Sequence, residues 1–316
     1  MRIRVASFIT TQQTNTDSLN SINNLLGIDN RLGWSDQADI LYDPDHPEAL
    51  RETIRYLKRN EQWNILDLRE IPPESLTLDL LEEEFQDSPY RLEKLANVLS
   101  KSVLMPEGFE SFKKSLKRKI KKNINLYANR LEKLGGAVIR HYQDADSIAR
   151  LFPTLVALEQ KGRKGTEETG ALIQAGNREF HIAFAKDWAD KGRSHIFTLE
   201  REQEVLSYLF IFQGKSIAYA HSTAINPDYE HCSPGFNLII ESLKVLSAQG
   251  LQTVNLGRGD GLHIRSVGND KQPRTWIKVF KKTFTNRLLF FIDFVLRPKM
   301  KIVSSKAQAF LKNTFK

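Results

Sequence analysis

The stretch Ser233-Pro234-Gly235, between an apolar strand pattern and an apolar helix pattern, is the part of this 316-residue chain whose residue types best suit an anion. Serine suits a helix N-cap, proline the first helical position, and glycine lets another group approach the backbone closely. A helix that begins this way turns backbone N–H groups outward at the positive end of its dipole, a ready phosphate site. Ser-Pro also begins many helices that bind nothing, and the spacing alone leaves both readings open. Before it, Lys215–Ile225 reads as a strand. After it, the helix runs to about Gln249, and a strand over Leu251–Leu256 ends in Gly257-Arg258-Gly259-Asp260. Other chemistries lack their patterns. The seven histidines are scattered and no Cys/His pair has ligand spacing, so no metal is expected. There is no Gly-x-Ser-x-Gly elbow and no P-loop. Gly257-Arg258-Gly259 is not a dinucleotide fingerprint, because no helix with a third glycine follows it.

The elements that must hold this turn belong to an ordinary folded protein. Hydrophobic residues make up 41% and charged residues 27%, enough for one large domain or two. The single cysteine, Cys232, allows no intramolecular disulfide and fits a reducing compartment. It lies beside Ser233, as a lining residue or as a small tolerated one. The net charge is +8, which favours acidic partners such as a polyphosphate, nucleic acid or anionic lipid. The opening Met1-Arg2-Ile3-Arg4-Val5 is too short an apolar run for a secretory signal, and no stretch approaches the roughly 20 apolar residues of a membrane span. A cytoplasmic protein is expected.

The first hundred residues read as an α/β lobe. Strands are expected at Ile3–Ile9, Trp63–Leu68 and within Leu92–Val103, and helices at Pro47–Asn60 and Leu76–Phe85. One long basic helix is expected next. Phe109, Phe112, Leu116, Ile120, Ile124, Tyr127, Leu131 and Leu134 recur every three or four residues, and Gly135-Gly136 stops the run. Nine Lys or Arg lie between Phe112 and Lys133 against one acid, Glu132, either a solvated face or a guide for an anionic ligand. A strand at Ala137–Tyr142 and helices at Ala145–Gln160 and Arg178–Lys191 follow. Strands at Ser194–Leu199, Val205–Phe212 and Lys215–Ile225, joined by short turns, should form an antiparallel meander. Arg287 to Lys316 carries seven basic residues and one acid, Asp293. This tail is either docked on the body or lies on an anionic membrane as an amphipathic segment.

This order of basic helix, strand, two helices, meander, Ser-Pro-Gly helix and strand resembles the acyltransferase fold of the GNAT superfamily, and within it the CelD-like acetyltransferases associated with cellulose biosynthesis. Leu158-Glu159-Gln160-Lys161-Gly162-Arg163-Lys164-Gly165 with Ala171-Leu172 is similar to one family segment. Ile217-Ala218-Tyr219 with Ser233-Pro234-Gly235 is similar to a second, Gly257-Arg258-Gly259-Asp260 to a third, and Ser35-Asp36 with residues 63–75 to the family's first lobe. The likeness is strongest from about Glu110 to Asp260. Arg163 stands where the family often has Trp, and Leu262-His263-Ile264-Arg265 where it commonly has a Tyr-Lys pair; more of the first lobe would be expected ahead of Met1.

The resemblance implies an α/β (α+β) fold with a mixed, largely antiparallel sheet flanked by helices. It implies a partial GNAT-like lobe over 1–105, the acyltransferase domain over 106–285 and a basic tail over 286–316. It also implies an N-acyltransferase using acetyl-CoA or another acyl-CoA, with an amine acceptor such as a cell-envelope or polysaccharide precursor. The diphosphate would sit at Ser233, Pro234, Gly235 and Phe236, with Lys161, Arg163 or Lys164 adding contacts, and the strand Ile217–Ala224 would hold the pantetheine arm. His221 is the preferred base because imidazole titrates near neutrality; a structural hydrogen bond is its other reading. Tyr219, Glu159 and Asp260 are the further catalytic candidates, and His263 has no assignable place. Two alternatives stay open: a Fem-type transferase using aminoacyl-tRNA, whose RNA the basic helix would meet, and a non-catalytic acyltransferase fold that binds a lipid or a synthase complex through its tail.

Overall fold

A computed structural model describes residues 27–29, 39–40, 42–59, 63, 65–86, 89–166, 170, 172–173, 177–258 and 266–291. In chain order these form β1 (Gly27–Asp29), α1 (Pro47–Arg59), β2 (Ile65–Ile71), α2 (Leu76–Phe85), β3 (Tyr90–Leu104), α3 (Phe109–Ser115), α4 (Arg118–Leu134) and β4 (Val138–Tyr142). Then come α5 (Ala145–Lys161), the single turn α6 (Arg163–Thr166), α7 (Asn177–Ala189), β5 (Ser194–Arg201), β6 (Glu204–Gln213) and β7 (Ile217–Ile225). A 3-10 turn (Pro227–Cys232), α8 (Pro234–Ala248), β8 (Thr253–Arg258), β9 (Asp270–Lys281) and α9 (Phe284–Phe291) complete the order.

The chain divides into two compact units, residues 98–273 and residues 1–97 with 274–316, where the sequence reading drew its boundaries at 105/106 and 285/286. In the smaller unit, β2 pairs parallel with β1 and antiparallel with β9. Leu50 and Ile54 of α1 are one helical turn apart, and with Leu81 and Phe85 of α2 they bury against Leu66, Ile277 and Val279 of the strands.

The larger unit is a three-layer sandwich. Its strands run β3-β8-β7-β6-β5-β4, antiparallel throughout except for the parallel pair β7–β8. The alternation along β6 explains both faces, because successive side chains of a strand point to opposite sides. Leu209 and Ile211 share one core with Phe236, Ile240 and Leu243 of α8, and the stripe residues Phe109, Phe112, Ile124 and Leu131 of α3 and α4 belong to the same core, those helices packing against α8. Tyr208, Phe210 and Phe212 meet Ile148, Phe152 and Leu155 of α5 and Ala185 of α7.

The antiparallel meander β5–β6–β7 stands as expected. The long basic helix does not: Leu116 and Lys117 are extended (ψ 145° and 144°), so the segment is two helices. The apolar stripe crosses the break, which is why its periodicity concealed it. β9 has no counterpart in the sequence reading. The strand expected at Ile3–Ile9 and the tail beyond Phe291 lie outside the described residues.

Candidate active site

The site is made where β7 leaves β8. Their parallel register holds only from Ile217 opposite Thr253 to Tyr219 opposite Asn255, and from Ala220 onward β7 continues without a registered β8 partner. On its other edge β7 stays paired with β6, but the register slips between Ala220 opposite Ile211 and Ser222 opposite Phe210. His221 is therefore the extra residue of a β-bulge, and a bulge both turns a strand and exchanges its faces. Ala218 and Ala220 pack on the α8 side, whereas Ala224, beyond the bulge, belongs to the α5–α7 side. A strand that bends away from its neighbour leaves backbone donors and acceptors of one edge available, which is what an extended, amide-bearing ligand needs.

The splayed half of β7 runs to the tip of α8. Ser233 caps that helix in the left-handed conformation (φ 50°, ψ 53°), and its hydroxyl makes no capping bond. Serine held in this region costs of order 1 kcal/mol, the kind of strain that collects at functional turns. Of the several outward amides expected here, one is left. Pro234 has no N–H, and those of Phe236 and Asn237 both donate to the Ser233 carbonyl (3.0 and 3.3 Å). The Gly235 N–H has no partner among the described residues, and Gly235 is half-buried. A Cβ there would lie 3.1 Å from Ile225 Cγ2, at the end of β7. Cys232 is buried in the core on the α8 side. From α4, Arg130 donates to the His231 carbonyl (2.7 Å) and Tyr127 meets Phe236 edge-on at 5.5 Å, so the C-terminal half of the basic helix braces the tip.

On the opposite face of the bulge lies a buried carboxylate. Glu159 of α5 is fully enclosed. Its Oε1 accepts from the Tyr208 hydroxyl (2.7 Å), the Ser222 hydroxyl (2.8 Å) and Lys164 Nζ (3.0 Å), and its Oε2 accepts from the Leu172 N–H (2.9 Å). Burial pushes its pKa up, but the Lys164 charge, the Tyr208 hydroxyl and the Leu172 N–H outweigh burial and hold it below the ordinary carboxylate range. Tyr208 is pushed well above the usual phenol range by burial and by the Glu159 charge.

His221 is paired too. Its Nε2 lies 2.8 Å from His181 Nε2 of α7, and its ring sits 5.2 Å from Phe212 and 5.8 Å from Phe210. Burial, then the neighbouring His181 and Lys164, push its pKa down to about 3. At neutral pH the ring is uncharged and a very weak base, which removes the reason for preferring it as proton acceptor.

The structure thus brings His221, Tyr219 and Glu159 to one stretch of β7 and leaves Ser233–Phe236 at its end. Lys164, expected near the diphosphate, is engaged by Glu159 and by the Ser222 hydroxyl (3.1 Å) instead. Lys161 pairs with Asp228 (2.7 Å). Asp260 and His263 lie outside the described residues. The bulge, Tyr208, Ser222 and His181 went unread in the sequence; each depends on strand register or on a contact distant in sequence, and no local pattern marks either. Among the described residues no group of His, Cys, Asp and Glu is arranged to hold a metal, and no helix is long and apolar enough to cross a membrane.

Residues 118–263 match the model of the acetyltransferase (GNAT) domain family, a span that contains the splayed pair, the bulge and the helix tip. The fold is that of the GNAT acyltransferases. Solved structures with this architecture include the C-terminal domain of a protein from Agrobacterium fabrum named as a lysylphosphatidylglycerol synthetase, with 12% identity, TM-score 0.53, and 80% of this chain and 78% of that chain covered. FemX is similar at 10% identity, TM-score 0.52, with 84% and 82% covered. A conserved protein of unknown function from Bacteroides thetaiotaomicron is similar at 11% identity, TM-score 0.52, with 74% and 75% covered. No curated protein matches the chain in sequence. At these identities the GNAT likeness speaks to fold, and the chemistry rests on the site.

Proposed function

We propose that this GNAT-fold chain is an acyl-CoA-dependent N-acyltransferase acting on an amine acceptor, of the kind that cell-envelope or polysaccharide precursors offer. The observation that carries the reading is the parting of β7 from β8 after Tyr219, with the unpaired Gly235 N–H at the far end of the opened edge. The diphosphate of CoA binds at that N–H, where the helix dipole favours negative charge. The pantetheine amides take the free edge of β7, and the thioester comes to rest near the bulge. When bound, acyl-CoA supplies the activated carbonyl.

The acceptor nitrogen attacks that carbonyl, the C–S bond breaks, one proton leaves the nitrogen and one is taken up by the departing thiolate. Tyr219 is half-buried, ends the registered part of β7, and its hydroxyl has no partner among the described residues; it is the phenol on this strand free to give that proton. The nitrogen's proton leaves to water, since Glu159 is fully enclosed and held by four internal donors and His221 is too weak a base.

Acetyl-CoA at about a hundredfold excess over its Kd should stabilise the protein by about 2.7 kcal/mol, a clear rise in Tm. Gly235→Glu should abolish that rise, while Gly235→Ala, which adds the same Cβ contact without charge, should keep part of it. The absence of any shift with acetyl-CoA or longer acyl-CoA would remove the proposal.

One feature favours a second reading, a Fem-type transfer from aminoacyl-tRNA. Lys114, Lys117, Arg118, Lys119 and Lys122 are exposed and pair with no acid among the described residues. Arg118 lies twelve residues before Arg130, about 18 Å along α4 and away from the α8 tip. Retention of charged tRNA that weakens steeply between two salt concentrations would support this reading.

A further inference from the structure

Two consecutive residues of β7 are each held from outside the sheet. His221, the bulge residue, is met by His181 of α7, and Ser222 by Glu159 of α5. Glu159 lies near the end of α5 and His181 in the first half of α7, so both helices are tied to the point where the strand bends.

Within the connector between them the chain is built to reach Glu159. Lys164 returns to Oε1 from the turn after Gly162, and Gly165 closes that turn so tightly that a Cβ would lie 2.1 Å from the Gln160 carbonyl oxygen. Gly170 passes so close that a Cβ would lie 2.6 Å from Oε2, and Leu172 then gives its N–H to the same oxygen and buries its side chain in the core beside α5. Side chains at 165 and 170 would push the connector off the carboxylate.

We propose that Glu159 is a positioning residue rather than a catalytic one: its carboxylate clamps the α5–α7 connector onto the bulge of β7 and so fixes the wall of the groove beside the thioester. The clamp itself is a statement about this chain's own contacts; its bearing on the thioester rests on the acyl-CoA reading above. Every donor it uses is internal, from α6 (Lys164), the connector backbone (Leu172), β6 (Tyr208) and β7 (Ser222). A charged acceptor is about twice as effective as a neutral one in such bonds. Glutamine in its place turns its NH2 either against the Leu172 N–H or against the Lys164 ammonium, neither of which can accept.

The test is amide hydrogen exchange on the full chain, with and without acetyl-CoA, for wild type, Glu159→Gln and Lys164→Met. In Glu159→Gln the Leu172 amide should exchange at least about tenfold faster with or without ligand, while the α8 amides keep their wild-type rates. Acetyl-CoA should still bind within about threefold of wild type, since the diphosphate end is untouched, and its protection of Ala220–Thr223 should be lost. Lys164→Met keeps the carboxylate and removes its cation. The pH at which Leu172 protection fails should therefore move up from the wild-type value, a change that a merely packed side chain would not show.

The proposal is overturned if Leu172 and Ala220–Thr223 exchange as in wild type in Glu159→Gln, or if Lys164→Met leaves the pH of failure unchanged. Should Glu159→Gln not fold, Lys164→Met alone decides. If acetyl-CoA fails to bind the wild type, the acyl-CoA reading falls, while the apo exchange rates still judge the clamp.

Discussion

At the scale of single residues, three side chains on one strand and its facing helix have different surroundings: Tyr219 half-buried, His221 against His181, and Glu159 enclosed by four donors. The Tyr219 hydroxyl has no partner among the described residues and is proposed to give the thiolate its proton, so Tyr219→Phe should lower the rate of CoA release by about 10²- to 10⁴-fold with little change in acetyl-CoA affinity, as removal of a general acid does. Steady-state CoA release alongside calorimetric Kd checks this; an unchanged rate would return Tyr219 to the core. His221 illustrates the reach and the edge of sequence reasoning. Its place on the strand that leads toward the Ser-Pro-Gly turn was legible in the sequence. Its weak basicity was not, because that comes from burial and from His181, forty residues earlier and on another element.

At the scale of elements, periodicity recovered what a local pattern can encode. The meander, α5, α7 and α8 follow from alternation, from the apolar face Phe236, Ile239, Ile240, Leu243 and Leu246, and from a proline at the first helical turn. The bulge at His221 escaped, because an extra residue in a pairing is a property of two strands together. The break at Leu116-Lys117 escaped because the apolar stripe runs through it without a gap. α8 is fixed at its tip by Phe236 against Tyr127, so Phe236→Ala should destabilise the protein by about 3–5 kcal/mol, the cost of removing a buried aromatic ring, and should also weaken acetyl-CoA binding by shifting the Gly235 N–H. Denaturant midpoints and calorimetry test the two effects separately; loss of stability with acetyl-CoA affinity intact would uncouple the helix tip from the cofactor.

At the scale of the whole molecule, neutral histidines that are buried or half-buried set the response to acid. His221 titrates at about 3, and His141 at about 4 through burial and the nearby His195; His195 is itself lowered by burial, against a raising hydrogen bond from Gln213. All three are lowered from 6.5, so the unfolded chain binds more protons than the folded one in the window below that value. Stability is then complete above about pH 6.5 and falls as the pH drops toward 4, with His221 alone contributing a slope of up to about 1.4 kcal/mol per pH unit. Glu159 acts in the same direction lower down, since its depressed pKa stabilises the fold above 4.5 and that contribution is lost as the pH falls through the folded value. Thermal melts should therefore show Tm declining between pH 6.5 and 4, and His221→Phe should flatten the decline. A Tm independent of pH in that range would contradict the buried pairing.

The central claim is that the opened edge of β7 and the tip of α8 hold an acyl-CoA. A crystal structure with acetyl-CoA bound tests it most directly. A diphosphate oxygen should lie within hydrogen-bond distance of the Gly235 N–H, with pantetheine amides on the edge of Ala220–Ala224 and the thioester beside Tyr219 and His221. A bound ligand seated elsewhere, with the Gly235 N–H turned to solvent and β7 uncontacted, would contradict it.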